Sequence, residues 1–304
     1  MPLSSKLTPR IPLVSRMVLA GFLLLFAIFC LYPILLIFGV SFTDETTLSL
    51  RGYRLWPEVF SLDAYRFIFR SSEQIRQSYG VTVFITVVGT GMIVLILAPF
   101  AYVLSRPDFR YRGFFTFLVF FTMLFNGGLV PTYIMITQYL GLRDTIWVLI
   151  LPLIPNGFYI LVLRSFFRAQ VPLSVIESAR IDGASEFRTF FQIVFPLSIP
   201  GIGTIALFSS LMYWNDWFNA LLYIDSPNLT PLQHLLMRIQ NNINFLRDNI
   251  DRMSGQQAQE LIASLPAASA RMALVVVSIG PIIFAYAFFQ RFFRKGLLIG
   301  SLKG

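Results

Sequence analysis

The amino-acid sequence predicts an all-α integral membrane protein that crosses the bilayer six times. Its 304 residues are 56% hydrophobic and only 13% charged, and the mean hydropathy is +0.70. Too few polar residues remain to cover a soluble domain of this size, so the bilayer must act as its solvent. Long uncharged runs and an uneven distribution of charge between the connecting segments support the same fold class.

Five uncharged runs are long enough to cross about 30 Å of hydrocarbon as helix. A sixth run is interrupted only by Asp216 near its far end. The first has no small-residue cleavage site and is predicted to be an uncleaved anchor, in which Cys30 serves packing. The predicted spans are Met17–Thr43, Gln77–Ser105, Gly113–Leu142, Thr145–Leu163, Ile199–Tyr223 and Met272–Gln290.

The orientation follows from the Lys and Arg residues of the connecting segments, because positively charged loops stay on the cytoplasmic side. Alternate segments, beginning with the N-terminal tail, carry 14 basic and 4 acidic residues, whereas the other three carry 10 and 11. Both termini are therefore predicted to be cytoplasmic. This asymmetry accounts for the net charge of +9, so no nucleic-acid partner is expected.

The predicted domain organisation is a single membrane domain, 17–298, between cytoplasmic tails 1–16 and 299–304. Within it, a polar segment at 172–200 faces the cytoplasm and a longer loop at 225–270 lies outside. The outer loop has apolar residues at alternating steps of four and three, which predicts an amphipathic helix between Pro231 and Gly255. This helix either contacts a substrate-delivering partner or covers the bundle. The apolar positions are Leu232, Leu236, Ile239, Ile243, Leu246, Ile250 and Met253.

The third span is too long for a straight helix and contains two glycines and a proline between Phe125 and Tyr133. We therefore predict a break, which is tolerated at membrane depth where the freed backbone lines a cavity or is buried in protein. Asn126 and Tyr133 would then border a substrate pathway, although a packing kink through glycine is the alternative.

The fifth span ends in a group of aromatic and polar residues that suits sugar binding. A sugar offers C–H surfaces to aromatic rings and hydroxyls to amides and carboxylates. Contact with the substrate or an outer partner and anchoring at the membrane interface are equally compatible with this composition. The group consists of Trp214, Asn215, Asp216, Trp217 and Asn219.

The polar segment 172–200 predicts two short helices joined by a turn. Ser174 and Glu177 match a capping box at the start of the first helix, and Asp182-Gly183 is a turn signal. The second helix is expected to run from about Ser185 until Pro196 ends it. Two stiff helices on the inner face suit docking into a groove on a cytoplasmic partner.

Several catalytic motifs are absent from the sequence. It has no phosphate-binding P-loop, no His-Glu-x-x-His and no Gly-x-Ser-x-Gly, and it contains one histidine, His234. We therefore predict no catalytic residue, no metal site and no cofactor held by this chain. Energy for any transport has to come from another subunit.

The polar segment resembles the EAA loop of ATP-binding-cassette importer permeases. Glu177-Ser178-Ala179 is followed by three variable residues, by Gly183 and later by Pro196, with serine where alanine is usual. Asp182-Gly183-Ala184 is similar to the maltose-type carbohydrate permeases. The resemblance implies the six-helix type I importer fold, pairing of Glu177 with a basic residue of the ATPase, and a turn permitted by Gly183. The coupling residues it implies are Glu177, Ser178, Ala179, Asp182, Gly183 and Ala184.

Three further stretches, 141–145, 213–219 and 295–304, resemble a permease branch associated with complex oligosaccharides and polysaccharide fragments. The resemblance implies that the tail Ser301, Leu302, Lys303 and Gly304 reaches the ATPase dimer. It also implies a multi-pass subunit of the bacterial cytoplasmic membrane, with a second homologous permease, two ATPase subunits that bind ATP and Mg, an external solute-binding protein, and a sugar substrate. A peptide, amino-acid or ion cargo is the alternative, and a membrane enzyme is a weaker one.

Overall fold

The computed structural model describes residues 13–69, 72–249 and 268–283, and within these ranges nearly all regular structure is helical. No β-strand forms there, and a single isolated bridge joins Thr43 to Phe60. The α-helices are α1 (Leu13–Ser41), α2 (Glu45–Arg51), α3 (Asp63–Phe69), α4 (Ser72–Ser105), α5 (Arg112–Leu124), α6 (Leu129–Ile134), α7 (Gly157–Gln170), α8 (Leu173–Ile181), α9 (Glu186–Thr189), α10 (Phe195–Leu197), α11 (Ile199–Trp214), α12 (Phe218–Tyr223), α13 (Leu232–Asn249) and a last described helix, Ala268–Ile283.

The apolar helices overlap the six predicted spans. The first two spans are single helices, α1 and α4, and the third and fourth are pairs of helices that bend at a short break. A further bent pair joins Glu186–Leu197, in the polar segment 172–200, to Ile199–Trp214 of the fifth span. The sixth is represented by Ala268–Ile283, and the rest of that predicted span lies outside the described residues. The all-helical fold class is confirmed.

Contacts between Cα atoms divide the chain into two compact units, 1–70 with 246–277 and 71–245 with 278–304. In the first unit, α1 is exposed along most of its length, as expected of a helix that faces lipid. Its far end packs closely on the segment between α2 and α3: a Cβ at Gly39 would lie 2.1 Å from the carbonyl oxygen of Leu55. Glu45 accepts hydrogen bonds from the backbone N–H groups of Ala268 and Ser269, both at 2.9 Å, and so caps the last described helix.

The second unit is built on close packing of α4 against α7 and α11. Gly89 of α4 lies directly against Tyr213 of α11, and the Tyr213 hydroxyl donates to the carbonyl of Ile150 at 2.9 Å. Small residues at helix crossings let two backbones approach, which is the usual packing device of membrane helices. Gly89 therefore allows α4 to approach α11 closely at Tyr213.

The predicted break in the third span is confirmed. Helix α5 ends at Leu124, and the two helical parts of this span are bent by 110°. Gly128 has φ +87°, and its N–H donates to the Asn126 side chain at 2.8 Å. A Cβ at Gly127 or Gly128 would meet nothing within 4 Å among the described residues, so close glycine packing within this part of the chain is not the cause of the break.

The fourth span is not the continuous helix that its uncharged run predicts. Residues Ile146–Leu149 and Leu151–Leu153 form 3₁₀ turns, and an α-helix begins only at Gly157. Pro152 and Pro155 remove the backbone donors that an α-helix would need there. The Asn156 side chain then accepts from the Tyr159 N–H at 3.2 Å and caps α7.

The amphipathic outer helix is confirmed as α13, which begins directly after Pro231. Leu232, Leu235 and Leu236 are buried, and the Leu232 N–H donates to Thr82 of α4 at 2.8 Å. The first turns of α13 therefore cover the bundle, as the lid interpretation expects. The side chains of Ile243 and Leu246 are not described, and Ile250, Met253 and Gly255 lie outside the described residues.

Candidate functional site

Helix α8 begins at Leu173, one residue earlier than predicted, and the predicted capping box is wrong. Pro172 occupies the N-cap with extended backbone angles, so Ser174 already lies inside the first turn. There its carbonyl accepts from the Ser178 hydroxyl at 2.9 Å. This hydrogen bond satisfies the hydroxyl of Ser178, the residue that stands where the EAA pattern has alanine.

Glu177 lies on the exposed face of α8. Its carboxylate forms no hydrogen bond and no ion pair with any of the described residues. The opposite face of the helix is buried through Ile176 and Ala179. One face of α8 thus attaches to the protein while the other presents a free carboxylate.

The turn after α8 has the geometry of a Schellman motif. Gly183 has φ +73°, its N–H donates to Arg180 at 3.0 Å, and the Ala184 N–H donates to Ala179 at 2.9 Å. Glycine adopts this left-handed conformation without the steric cost that a Cβ imposes. The predicted turn at Asp182-Gly183 is confirmed.

The effect of a substitution at Gly183 should depend on how readily the new residue adopts the left-handed backbone conformation. Side-chain size should matter less, since a Cβ there would meet nothing within 4 Å. Gly183→Asn should lower uptake least, because Asn visits the left-handed region readily, and Gly183→Val should lower it most. The left-handed conformation costs an ordinary residue about 1–2 kcal/mol. Uptake per assembled complex measures the order, and equal activity of the two variants would contradict it.

The second helix of the segment begins as predicted, since Ser185 accepts from the Arg188 N–H at 3.3 Å. It does not end at Pro196, however, and continues to Leu197 through a π-helical turn at Phe190–Val194. Pro196 is the second residue of α10 and directly follows the π-helical turn. A bend of 81° then leads into α11.

Four charged side chains from the end of α4, from α8 and from α9 form a closed ring, which we call the ion cluster: Arg106, Asp108, Arg180 and Glu186. Two nitrogens of the Arg106 guanidinium donate hydrogen bonds to the Asp108 carboxylate, at 2.9 and 2.8 Å. Arg180 bonds both Asp108 at 2.8 Å and Glu186 at 2.7 Å, and Arg106 lies 3.5 Å from Glu186. The side chain of Arg106 is only 8% exposed.

Asp108 and Arg106 of the ion cluster stabilise each other's charged forms. Hydrogen bonding to Arg106, helped by Arg180, holds the pKa of Asp108 well below its usual range, and the bond to Asp108 raises the pKa of Arg106. Because the pKa of Asp108 is depressed on folding, its stabilisation is complete above the unfolded value of about 3.9 and is lost only at lower pH. Sequence reasoning used these residues for topology alone and missed the ion cluster.

The predicted pathway residues lie near two interruptions of helix, the break between α5 and α6 and the link between α11 and α12. Asn126 is exposed and Tyr133 stacks on Tyr223, with ring centroids 5.5 Å apart. Asp216 accepts from both the backbone and the side-chain amide of Asn219, at 3.2 and 2.8 Å, and thereby caps α12.

The remaining residues of the fifth-span group have different environments. Asn215 donates to the carbonyl of Leu211 at 2.8 Å. Trp214 is buried and its indole N–H donates to the carbonyl of Ser278 at 3.2 Å, whereas Trp217 is exposed. Their contact with a substrate stays a prediction, as does the role of Ser301 to Gly304, which lie outside the described residues.

Hydrogen bonds and an ion pair connect the stretch 141–145 to the start of the outer loop at Asp225 and Ser226. Asp144, in a left-handed conformation with φ +55°, accepts from the N–H groups of Asp225 and Ser226 at 3.0 and 2.9 Å. The Ser226 hydroxyl adds a third bond at 2.5 Å and is the main cause that lowers the pKa of Asp144. Arg143 pairs with Asp225 at 3.0 Å.

The long apolar helices and the bent helix pairs define a class of protein, the multi-pass membrane protein. Residues 92–298 match the family model described as "binding-protein-dependent transport system inner membrane component", and the chain belongs to this family. It is therefore a permease subunit of a bacterial inner-membrane transporter and not itself an enzyme.

Similar proteins extend this result to nearly the full length. The polygalacturonan/rhamnogalacturonan transport system permease protein YtcP of Bacillus subtilis (strain 168) is 40% identical, over 95% of this chain and 98% of its own. The arabinooligosaccharides transport system permease protein AraQ of Halalkalibacterium halodurans is 27% identical, with coverage of 96% and 98%. A chain of a bacterial ABC transporter involved in the import of the acidic polysaccharide alginate superposes with a TM-score of 0.75 at 29% identity, covering 96% of this chain and 100% of that one.

Proposed function

We propose that this permease imports saccharide fragments across the cytoplasmic membrane with energy from a separate ATPase. The observation that carries the coupling part is the free Glu177 carboxylate on the exposed face of α8. The cargo is supported by similarity to permeases named for polygalacturonan, rhamnogalacturonan and arabinooligosaccharides. These names favour a saccharide over a peptide or an amino acid.

The assembly we propose contains a second homologous permease, two ATPase subunits that bind ATP and Mg, and an external binding protein. Substrate passes between the two permeases by alternating access. Glu177 is directed toward a basic residue of one ATPase subunit, and closure of the ATPase dimer draws α8 with it. Ser178, Asp182 and Ala184 complete the docking surface around this carboxylate.

Outside the membrane, the binding protein delivers its ligand to the pathway. Asn126, Tyr133 and the polar groups of Asn215, Asp216 and Asn219 are the candidate contacts along it. The C-terminal residues Ser301, Leu302, Lys303 and Gly304 provide a second contact with the ATPase subunits.

The test is reconstitution of the chain in proteoliposomes with a homologous partner permease, an ATPase and a binding protein from the same organism. We expect ATP hydrolysis that the loaded binding protein stimulates and that drives uptake of labelled oligogalacturonides, with no hydrolysis by this chain alone. Thermal melting of the binding protein against a panel of saccharides, peptides and amino acids identifies the cargo class. Stabilisation by an amino acid or peptide, without any saccharide effect, would overturn the substrate assignment.

A further inference from the structure

We propose that the ion cluster is the joint through which motion of α8 reaches α4, so that both helices move as one body. The proposal rests on the proposed function, because it assumes that an ATPase moves α8. It assigns positioning roles to residues outside the EAA pattern, chiefly Arg106 and Asp108.

The members of the ion cluster belong to three separate segments. Arg106 follows directly on the end of α4, Asp108 lies in the loop after it, Arg180 is in the last turn of α8, and Glu186 begins α9. Positive and negative groups alternate around the ring, so each side chain contacts two partners of opposite charge. The ring therefore links α8 and α9, in the polar segment 172–200, to the end of α4.

Packing beneath the ring fixes its orientation. The Tyr102 hydroxyl of α4 accepts from Arg106 at 2.8 Å, and the Tyr102 ring packs on Phe167 and Phe190 with centroids 6.0 and 5.3 Å apart. Arg106 is consequently held from both sides. An exposed pair such as Arg66 with Asp63, whose side chains are 77% and 66% exposed, has no such support and contributes little.

The covalent connections of α8 do not by themselves fix its orientation, so its attachment depends on packing through Ile176 and Ala179 and on the ion cluster. On one side, α8 follows α7 through Val171-Pro172, and on the other it ends at the Gly183 turn. Each connection is a short non-helical link that could flex under load. The two-nitrogen contacts, Arg106 with Asp108 and Arg180 with Glu186, fix the geometry within each segment. Two further contacts cross between the segments, from Arg180 to Asp108 at 2.8 Å and from Arg106 to Glu186 at 3.5 Å.

The direct test measures the distance between two spin labels. One is attached at Arg110→Cys, in the loop after α4, and the other at Ile181→Cys, at the end of α8; both positions are exposed. Replacing the single native cysteine, Cys30, by alanine supplies the background. In the assembled transporter we expect the same narrow distance distribution with and without bound nucleotide. In Arg106→Leu and Arg180→Leu we expect a distribution that broadens or shifts on nucleotide binding.

Transport efficiency is the second readout. Both variants should hydrolyse ATP while the number of saccharides imported per ATP falls at least fivefold, and Arg66→Leu, which removes an arginine from an exposed pair, should match the unmodified complex. Arg180 is half exposed, so its variant remains informative if Arg106→Leu fails to fold.

Two results would overturn the joint: a nucleotide-dependent distance in the unmodified complex, or an unchanged distance and efficiency in both arginine variants. Failure of the proposed function looks different, because then the unmodified complex imports no saccharide. The label distances still report on the joint in that case.

Discussion

Glu177→Gln should abolish ATP-driven uptake while leaving membrane insertion, expression and thermal stability unchanged. The carboxylate has no partner among the described residues, so its loss costs this chain nothing that the structure shows. Its effect should appear only in the assembled transporter. There the basic residue of the ATPase would be left buried without its counter-charge.

The expected size of the effect is large. Removing one partner of a buried, hydrogen-bonded charge pair at an interface costs about 2–5 kcal/mol. Each 1.4 kcal/mol is tenfold in an equilibrium constant, so productive docking should fall roughly 30- to 4,000-fold. The measurements are uptake and binding-protein-stimulated ATP hydrolysis in proteoliposomes.

Glutamine is the informative replacement because it removes the negative charge of Glu177 and keeps the length and polarity of the side chain. Glu73→Gln, which removes another exposed carboxylate near the start of α4, is the matched control and should transport normally. Normal uptake by Glu177→Gln would contradict the coupling role.

Apolar composition predicted the membrane fold well, because the length of each uncharged run is set by the thickness of the bilayer. The break at Phe125–Gly128 followed from the same length argument. Composition could not predict that the fourth span starts as 3₁₀ turns, although Pro152 and Pro155 were signals that could have suggested it. An uncharged run reports burial in lipid and is insensitive to the type of helix.

The turn of the candidate site could be predicted from the sequence, whereas the start of its first helix and the ion cluster could not. Gly183 was identified because a turn between helices needs a left-handed residue, and its φ of +73° agrees. The capping box failed because Pro172 moved the helix start by one residue, which local spacing does not reveal. The ion cluster joins Asp108 to Arg180 across 72 positions, and no local motif reports contacts of that range.

Gly89→Ala should strongly destabilise the packing of α4 against α11. A Cβ at this position would lie 2.3 Å from Cζ of Tyr213 and within 2.7 Å of two further ring atoms. Tyr213 is fully buried and its hydroxyl is held by the carbonyl of Ile150. The ring therefore cannot move aside without losing that bond, and α4 must separate from α11.

Overpacking of a well-packed core costs about 1–3 kcal/mol, and occasionally more. Gly91→Ala is the matched control on the same helix, because a Cβ there would meet nothing within 4 Å. Alanine is the better helix former by about 1 kcal/mol, so this control should be neutral or slightly stabilising. Thermal unfolding of the two purified variants in the same detergent gives the comparison. Equal midpoints would show that the contact between Gly89 and Tyr213 does not limit the approach of α4 to α11.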